Sequence, residues 1–208
     1  MWRGCAARAL VLGKTNVAQL LLHVETDYPL YGRANNPWNL ARSAGGSSGG
    51  EAAIIAAGGS PLGLGTDRGG ILRVPANFRG IASFKPTAGR IPDAGRYSIP
   101  IGQRAIVSQV GVLARHVGDV ALGLDVINGG RDLHAEPRLP LGDIGTVDLS
   151  QLRVAYYTED GTYAPAPAVA RAVTEAARVA DGGWCARCRG ANVIRASRTS
   201  SPWRSVRP

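Results

Sequence analysis

The chain has 208 residues, of which 45% are apolar and 19% charged, and its formal net charge is +9. This length and balance predict one or two soluble globular domains, and no apolar run in the sequence reaches the roughly 18 residues that a membrane-spanning helix needs. Three cysteines, a small and odd number, favour a reducing cytoplasm over a disulfide-stabilised fold.

The positive charge is concentrated at one end of the chain. Residues 181–208 hold six arginines against one aspartate, or +5, which leaves 18 basic and 14 acidic groups, or +4, in residues 1–180. A mildly basic body does not predict a nucleic-acid partner, although the tail alone has the charge to attract acidic molecules. At the other end, Arg8 interrupts the first apolar stretch, so we expect no signal peptide.

The first forty residues predict a strand, a helix and a loop. An apolar run at Ala9–Leu12 is typical of a buried strand, and residues 17–22 have the composition of a helix that Thr15 or Asn16 would cap. The intervening GKTN resembles part of a phosphate-binding loop, but Arg8 stands where that motif needs glycine. Residues 27–39 contain Pro, Gly and several Asn and predict a surface loop.

Two glycine-framed turns dominate the next fifty residues. GGSSGG at 45–50 and GTDRGG at 65–70 are each followed by a run that favours a helix, and glycine lets backbone N–H groups point at a ligand. Two such turns at helix N-termini would form a floor that binds an anion or an oxyanion. Two flexible Gly/Ser loops are the alternative.

Residues around the second turn predict a supported structure. Residues 61–67 read as a strand, and Thr66 and Asp67 are residue types that hydrogen-bond the backbone of a following turn. We expect Arg73 to pair with Asp67 rather than bind a substrate anion. Another strand is predicted at residues 82–84, followed by Lys85, a candidate base only if burial lowers its pKa.

The remaining elements follow from apolar spacing. Strands are predicted at residues 110–113 and 154–157, and helices at 117–127 and 167–180, with a loop at 129–150. His116 has no matching metal partner in the sequence, and we expect no metal. After residue 180 neither helical nor strand spacing of apolar residues continues, so we predict that residues 181–208 are a disordered tail. Cys185 and Cys188 in this tail form a single CxxC motif, which is a weak zinc or redox signal.

The central motifs resemble a known family. GGSSGGEAA, then GTDRGG, LRVPA and FKPTAGR, preceded by TDYPLYGRANNPWNLARS, are similar to the amidase signature family of serine amidohydrolases, nearest its bacterial amidase and fatty-acid-amide-hydrolase-like members. The resemblance implies an α/β/α sandwich around a mixed sheet, with residues 1–180 as part of its core. It also implies amide hydrolysis by a Ser, cis-Ser and Lys triad without a cofactor.

Carried over by position, the resemblance assigns Ser47 as the bridging serine after a cis peptide, with Ser48 beside it. It assigns the oxyanion hole to backbone N–H groups of Arg68, Gly69, Gly70 and Ile71. Ile71, however, occupies the position of the nucleophilic serine, and the triad lysine is expected in a segment that would precede Met1. We therefore expect an impaired or inactive amidase whose only partner is a small amide.

Two other functions stay open at this point. The chain is either a non-catalytic module that binds amides or a non-functional gene fragment, and a fragment would be marginally stable because apolar faces stay uncovered. GGSSGG also fits G-x-S-x-G, the nucleophile elbow of α/β-hydrolases. That elbow needs a buried strand before it, whereas NNPWNLARSA is polar and interrupted by proline.

Overall fold

The computed structural model describes residues 7–91, 108–128, 140–159, 162–183 and 187–190. The chain forms two compact units, Met1–Leu141 and Gly142–Pro208. The serine-rich and aspartate-containing glycine turns both lie in the first unit.

The first unit begins with short elements. A 3-10 turn spans Gln19–Leu21. Two antiparallel strand pairs follow: β1 (Asp27–Tyr28) with β2 (Gly32–Arg33), and β3 (Asn35–Asn36) with β4 (Asn39–Ser43). The first three of these short strands lie within residues 27–39, the segment predicted to be a loop.

Two predictions for this region are wrong. Residues 9–12 form no strand and Leu10–Leu12 are exposed, because an apolar run becomes a strand only where a neighbour pairs with its backbone. The helix predicted over residues 17–22 is reduced to the 3-10 turn, since Leu20 and Leu21 have φ of +52° and +59°, which a right-handed helix does not accommodate.

A three-stranded antiparallel sheet forms the centre of this unit. Its order is β5 (Leu62–Asp67), β7 (Gln109–Ala114) and β6 (Ala82–Phe84). Asp67 lies opposite Gln109, and Phe84 lies opposite Val112. The sequence predicts all three strands, and the structure confirms them with small changes at their ends.

Helices cover both faces of this sheet. One core cluster joins α1 (Gly49–Ala56) and α2 (Arg73–Asn77) to Leu113 of β7. The other joins α3 (Val117–Ile127) to Val112 and Ala114 of the same strand. Because successive strand residues point to opposite faces, the unit has three layers, and the predicted α/β/α arrangement is confirmed.

Glycines in β5 allow the start of α1 to approach the sheet. A Cβ on Gly65 would lie 2.5 Å from Ser48 Oγ and 2.6 Å from Leu72 Cδ1, and a Cβ on Gly63 would collide with the Glu51 carboxylate. A strand with side chains at these positions would push the helix and its preceding loop away. The sheet therefore places Ser48 beside the strand that ends at Asp67.

The second unit contains a βαβ arrangement. Strand β8 (Arg153–Tyr156), helix α4 (Pro167–Gly183) and strand β9 (Arg187–Gly190) follow one another, and β8 and β9 are parallel. The predicted strand and helix are confirmed. The tail prediction is wrong for β9, which pairs with a strand more than thirty positions earlier, so no local pattern could identify it. The boundary at residue 180 stays a prediction.

Two 3-10 turns precede β8, at Ile144–Thr146 and Leu149–Gln151. Asp143 and Asp148 cap them by accepting hydrogen bonds from the N–H groups of Gly145 and Ser150. Residues 129–139 of the predicted loop lie outside the described residues. Across the described ranges, no helix has the length and apolar character to cross a membrane.

Candidate active site

The loop at Gly45–Gly50, called the serine loop below, is packed into the interior. Ser47 is 0% and Ser48 5% exposed, and the peptide bond between Gly46 and Ser47 is cis. Gly45 has φ of +65°, a region that glycine adopts readily. A Cβ on Gly46 would lie 2.7 Å from the carbonyl carbon of Glu25, so the chain passes too close for a larger residue.

Thr26 binds both ends of the serine loop. Its buried hydroxyl donates to the carbonyl of Gly45 at 2.8 Å, lies 3.2 Å from the carbonyl of Ser47, and accepts from the N–H of Gly49 at 2.9 Å. Thr26 opens the motif TDYPLYGRANNPWNLARS, but the sequence does not predict its contact with the serine loop, because the two lie about twenty positions apart.

Three N–H groups at the start of α1 already have acceptors. Gly49 donates to Thr26 Oγ1, Gly50 donates to the carbonyl of Asn16 at 3.2 Å, and Ser48 donates to the carbonyl of Ile71 at 3.3 Å. A helix N-terminus attracts an anion only while its N–H groups lack acceptors. These three N–H groups are therefore occupied, and a contribution of the first turn to an anion-binding floor stays a prediction.

Glu51 in the first turn of α1 is also held by the upstream segment. Thr15 Oγ1 donates to its carboxylate at 2.7 Å. Burial raises the pKa of Glu51 above its ordinary value, and the hydrogen bond from Thr15 offsets only part of this effect. Thr15 and Asn16, predicted to cap a local helix, instead stabilise α1.

Asp67 organises the second turn, which we define as Arg68–Leu72. Its fully buried carboxylate accepts from the N–H groups of Gly70 at 2.7 Å and Leu72 at 3.3 Å. Arg73 donates to it through Nε at 2.9 Å and Nη2 at 3.1 Å. Thr66 makes no side-chain hydrogen bond within the described ranges, so the expected support of the turn comes from Asp67 and Arg73 alone.

The charge state of Asp67 follows from these contacts. Burial opposes ionisation, but the hydrogen bonds from Arg73, Gly70 and Leu72 and the charge of Arg73 outweigh burial and lower the pKa of Asp67. The carboxylate is therefore ionised at neutral pH. Its negative charge is directed at the turn backbone and Arg73, which gives it a structural role.

Three N–H groups of the second turn have no acceptor in the described part of the chain, namely those of Arg68, Gly69 and Ile71. Gly70, another predicted oxyanion donor, already donates to Asp67. Unused backbone donors at one tight turn can stabilise the oxygen of a carbonyl group or a carboxylate.

The two turns meet at Ile71. Its carbonyl accepts the N–H of Ser48, so the serine loop and the unused donors are neighbours. Ser47 Oγ is buried without a hydrogen-bond partner, and no hydrogen bond of Ser48 Oγ occurs among the described residues. The side chain at position 71 is half-buried and, as isoleucine, provides no oxygen or nitrogen.

Other candidates from the sequence do not join this site. Lys85 Nζ donates to the carbonyl of Pro86 at 3.1 Å, and His116 is an exposed residue directly before α3. Within the described ranges, no group of three His, Cys, Asp or Glu residues could bind a metal. Cys185 lies outside the described residues, and Cys188 belongs to β9.

Comparisons with known proteins agree with this geometry. A family model described as Amidase matches residues 5–182. The chain is 43% identical over 167 residues to fatty-acid amide hydrolase 1 of Sus scrofa, covering 79% of this chain and 29% of that protein. It is 38% identical over 167 residues to fatty acid amide hydrolase 1 of Caenorhabditis elegans, covering 78% of this chain and 29% of that protein.

A solved structure has a similar fold. 6-Aminohexanoate cyclic dimer hydrolase superposes with a TM-score of 0.78 at 33% identity, covering 91% of this chain and 40% of that chain. The present chain thus spans less than a third of the length of the two amide hydrolases.

Proposed function

Because this chain belongs to the amidase family, we propose that its two turns form an acyl-binding site that binds an amide or a carboxylic acid without hydrolysing it. The observation that carries the proposal is the unused set of N–H groups at Arg68, Gly69 and Ile71, beside a position that has no nucleophilic atom. Amide hydrolysis is the ancestral reaction of the family. The residues of the two turns support the binding of an amide or acid, which is the first step of that reaction, but not the hydrolysis.

The chemical argument concerns the first step of acyl transfer. A serine hydrolase attacks the carbonyl carbon with a hydroxyl oxygen, and removal of that serine costs on the order of 10⁶-fold in turnover. The isoleucine side chain at position 71 has no such atom. Ser47 has a hydroxyl, but within the described ranges no base contacts its oxygen.

The binding argument concerns the carbonyl oxygen. Donors that are fixed before the ligand arrives lose little entropy when they bind it. The second turn is fixed by Asp67, which occupies two of its backbone N–H groups and leaves the others unused. A neutral amide or an acid product then has donors for its oxygen.

Calorimetry with benzamide and sodium benzoate at millimolar concentration tests binding. We expect Gly69→Pro, which removes one donor, to weaken binding at least about tenfold for loss of a charge-assisted hydrogen bond. Gly69→Ala is the matched control, because a Cβ on Gly69 has no heavy atom within 4 Å. Absence of binding heat and of a melting shift in the unaltered chain would reject the proposal.

Labelling with a fluorophosphonate probe tests the absence of a nucleophile. We expect no labelling of the unaltered chain or of Ile71→Val, because neither has a hydroxyl group at position 71. Labelling of the unaltered chain at Ser47 or Ser48 would contradict the claim that it lacks a reactive serine. Release of ammonia from benzamide gives the matching measurement of turnover.

A further inference from the structure

Thr26 has an unusual place in the chain. The residues immediately before it, Leu20–Glu25, are exposed, whereas Thr26 is 0% exposed. Its hydroxyl touches three backbone groups of one loop, at Gly45, Ser47 and Gly49. A threonine that served only to fill the interior would not need this polar environment.

The contacts use the O–H donor and one of the two lone pairs of the Thr26 hydroxyl. One O–H proton is shared between the carbonyls of Gly45 and Ser47, and an oxygen lone pair accepts the N–H of Gly49. These groups span the serine loop from before Ser47 to the first residue of α1. The hydroxyl therefore fixes both ends of the segment that carries the two serines.

Ser48 is the residue that would normally cap α1. A serine at the N-cap accepts a hydrogen bond from an N–H in the first turn of its own helix, but Ser48 makes no side-chain cap hydrogen bond. Thr26 accepts the N–H of Gly49, the first residue of α1, and the carbonyl of Asn16 accepts that of Gly50, the second. The first two N–H groups of the helix are thus bound by the upstream segment, and the Ser48 hydroxyl takes no part in the cap.

Two further contacts around the serine loop support this arrangement, one at Gly49 and one at the Ser47 carbonyl. A Cβ on Gly49 would collide with Thr26 Oγ1, so glycine at this position allows the threonine to reach the helix N-terminus. The Ser47 carbonyl has a second donor, the N–H of Ala18 at 3.2 Å. Thr26 and Ala18 together restrict the orientation of the peptide group that follows Ser47.

We propose that Thr26 is a positioning residue: its hydroxyl binds the carbonyls of Gly45 and Ser47 and the N–H of Gly49, and thereby fixes the serine loop beside the second turn, whose donors would bind the acyl group. The proposal rests on the proposed function for the identity of the ligand. The structural part, the fixing of the serine loop by the Thr26 hydroxyl, does not depend on it.

The test compares Thr26→Val, which keeps the shape and removes the hydroxyl, with Thr26→Ser, which keeps the hydroxyl. Thr174→Val is the matched control, because Thr174 Oγ1 also donates to a backbone carbonyl, that of Ala170. By NMR we expect Thr26→Val to accelerate amide exchange of Gly49 about tenfold and to shift the Ser48 Cβ resonance as the serine loop loses its contacts to Thr26. Thr26→Ser should restore both signals, and Thr174→Val should change neither.

The same variants are titrated with sodium benzoate. We expect about tenfold weaker binding for Thr26→Val and near-normal binding for Thr26→Ser. Unchanged Gly49 exchange and Ser48 Cβ resonance in Thr26→Val, or failure of Thr26→Ser to restore them, would overturn the proposal. If the unaltered chain binds no benzoate but the NMR changes occur, the proposed function fails and the role of Thr26 in fixing the serine loop stands.

A measurement on the unaltered chain covers the case in which Thr26→Val does not fold. The Thr26 hydroxyl proton should exchange slowly enough to be observed and should give a nuclear Overhauser effect to the Gly49 amide proton. A rapidly exchanging hydroxyl without that contact would overturn the assignment.

Discussion

Replacement of Arg79 by methionine should stabilise the first unit. Arg79 is 3% exposed, and its Nη1 donates to the carbonyl of Pro75 at 2.8 Å. Its Nε and Nη2 have no partner, and no carboxylate pairs with it in the described ranges. Burial alone lowers the pKa of Arg79 to about 10.

The pKa gives the magnitude of this effect. A lowering of roughly 2.5 from the ordinary value, at about 1.4 kcal/mol per pH unit, corresponds to a cost of about 3 kcal/mol for holding the cation inside the protein. The cost is present at every pH below about 10, because only there do folded and unfolded chains both carry the proton. Loss of the hydrogen bond to Pro75 offsets about 1–2 kcal/mol of the gain.

We therefore expect Arg79→Met to raise the free energy of unfolding by about 1–2 kcal/mol, which is about 2–8 °C in melting temperature for a chain of this size. Urea and thermal unfolding followed by circular dichroism at pH 7 measure it. Arg42→Met, at an exposed arginine, is the control and should stay within about 0.5 kcal/mol. A destabilised Arg79→Met would refute the reasoning, because it would mean that the buried guanidinium has a partner.

Three further substitutions test other contacts. Asp67→Asn should cost about 2–4 kcal/mol, because an amide presents one acceptor oxygen to donors that now share a carboxylate. Since the folded pKa of Asp67 is lowered, its contribution is complete above about pH 4 and is lost as the pH falls through that lower folded value, so unfolding of the variant should depend less on pH there. Gly46→Ala should cost about 1–3 kcal/mol through collision with the Glu25 backbone, whereas Gly13→Ala, with open space around it, should not. Arg115→Ala should cost about 1 kcal/mol, because Arg115 donates to the carbonyls of Ile55, in α1, and of Ser60, in the segment after it.

A different result for each of these three substitutions would contradict the contact that it tests. An Asp67→Asn variant with the original acid dependence would mean that another group titrates there. Equal stability of Gly46→Ala and Gly13→Ala would contradict the close passage of Glu25. An unchanged Arg115→Ala would mean that the two carbonyls are solvated equally well without it.

The spacing of apolar residues correctly predicted the helices and strands whose apolar side chains pack into the core. The helix over residues 117–127 has apolar residues at helical spacing, and the structure packs Val120, Leu124 and Ile127 against β7. The local sequence pattern gave wrong predictions where strand formation depends on pairing with a segment far away in the sequence. Residues 9–12 are as apolar as a strand but pair with none, and β9 has no strand pattern but pairs with β8.

Some features of the candidate site could likewise be predicted from local sequence, and others could not. The two glycine turns and the isoleucine at position 71 could be read from the sequence, because glycine spacing and a missing hydroxyl are properties of the residues themselves. The support of Asp67 by Arg73 could also be expected, since the two are six positions apart. The role of Thr26 could not, because it depends on contacts about twenty positions away.

Residue types and their spacing are therefore enough to identify the family, the layered fold class and the lack of a nucleophilic atom at Ile71. Which backbone N–H groups remain unused is visible only in the folded chain. Those of Ser48, Gly49 and Gly50 find acceptors in Ile71, Thr26 and Asn16, while those of Arg68, Gly69 and Ile71 find none in the described ranges. Hydrogen-bond satisfaction depends on which segments the fold brings together, and residue identity along the chain does not specify it.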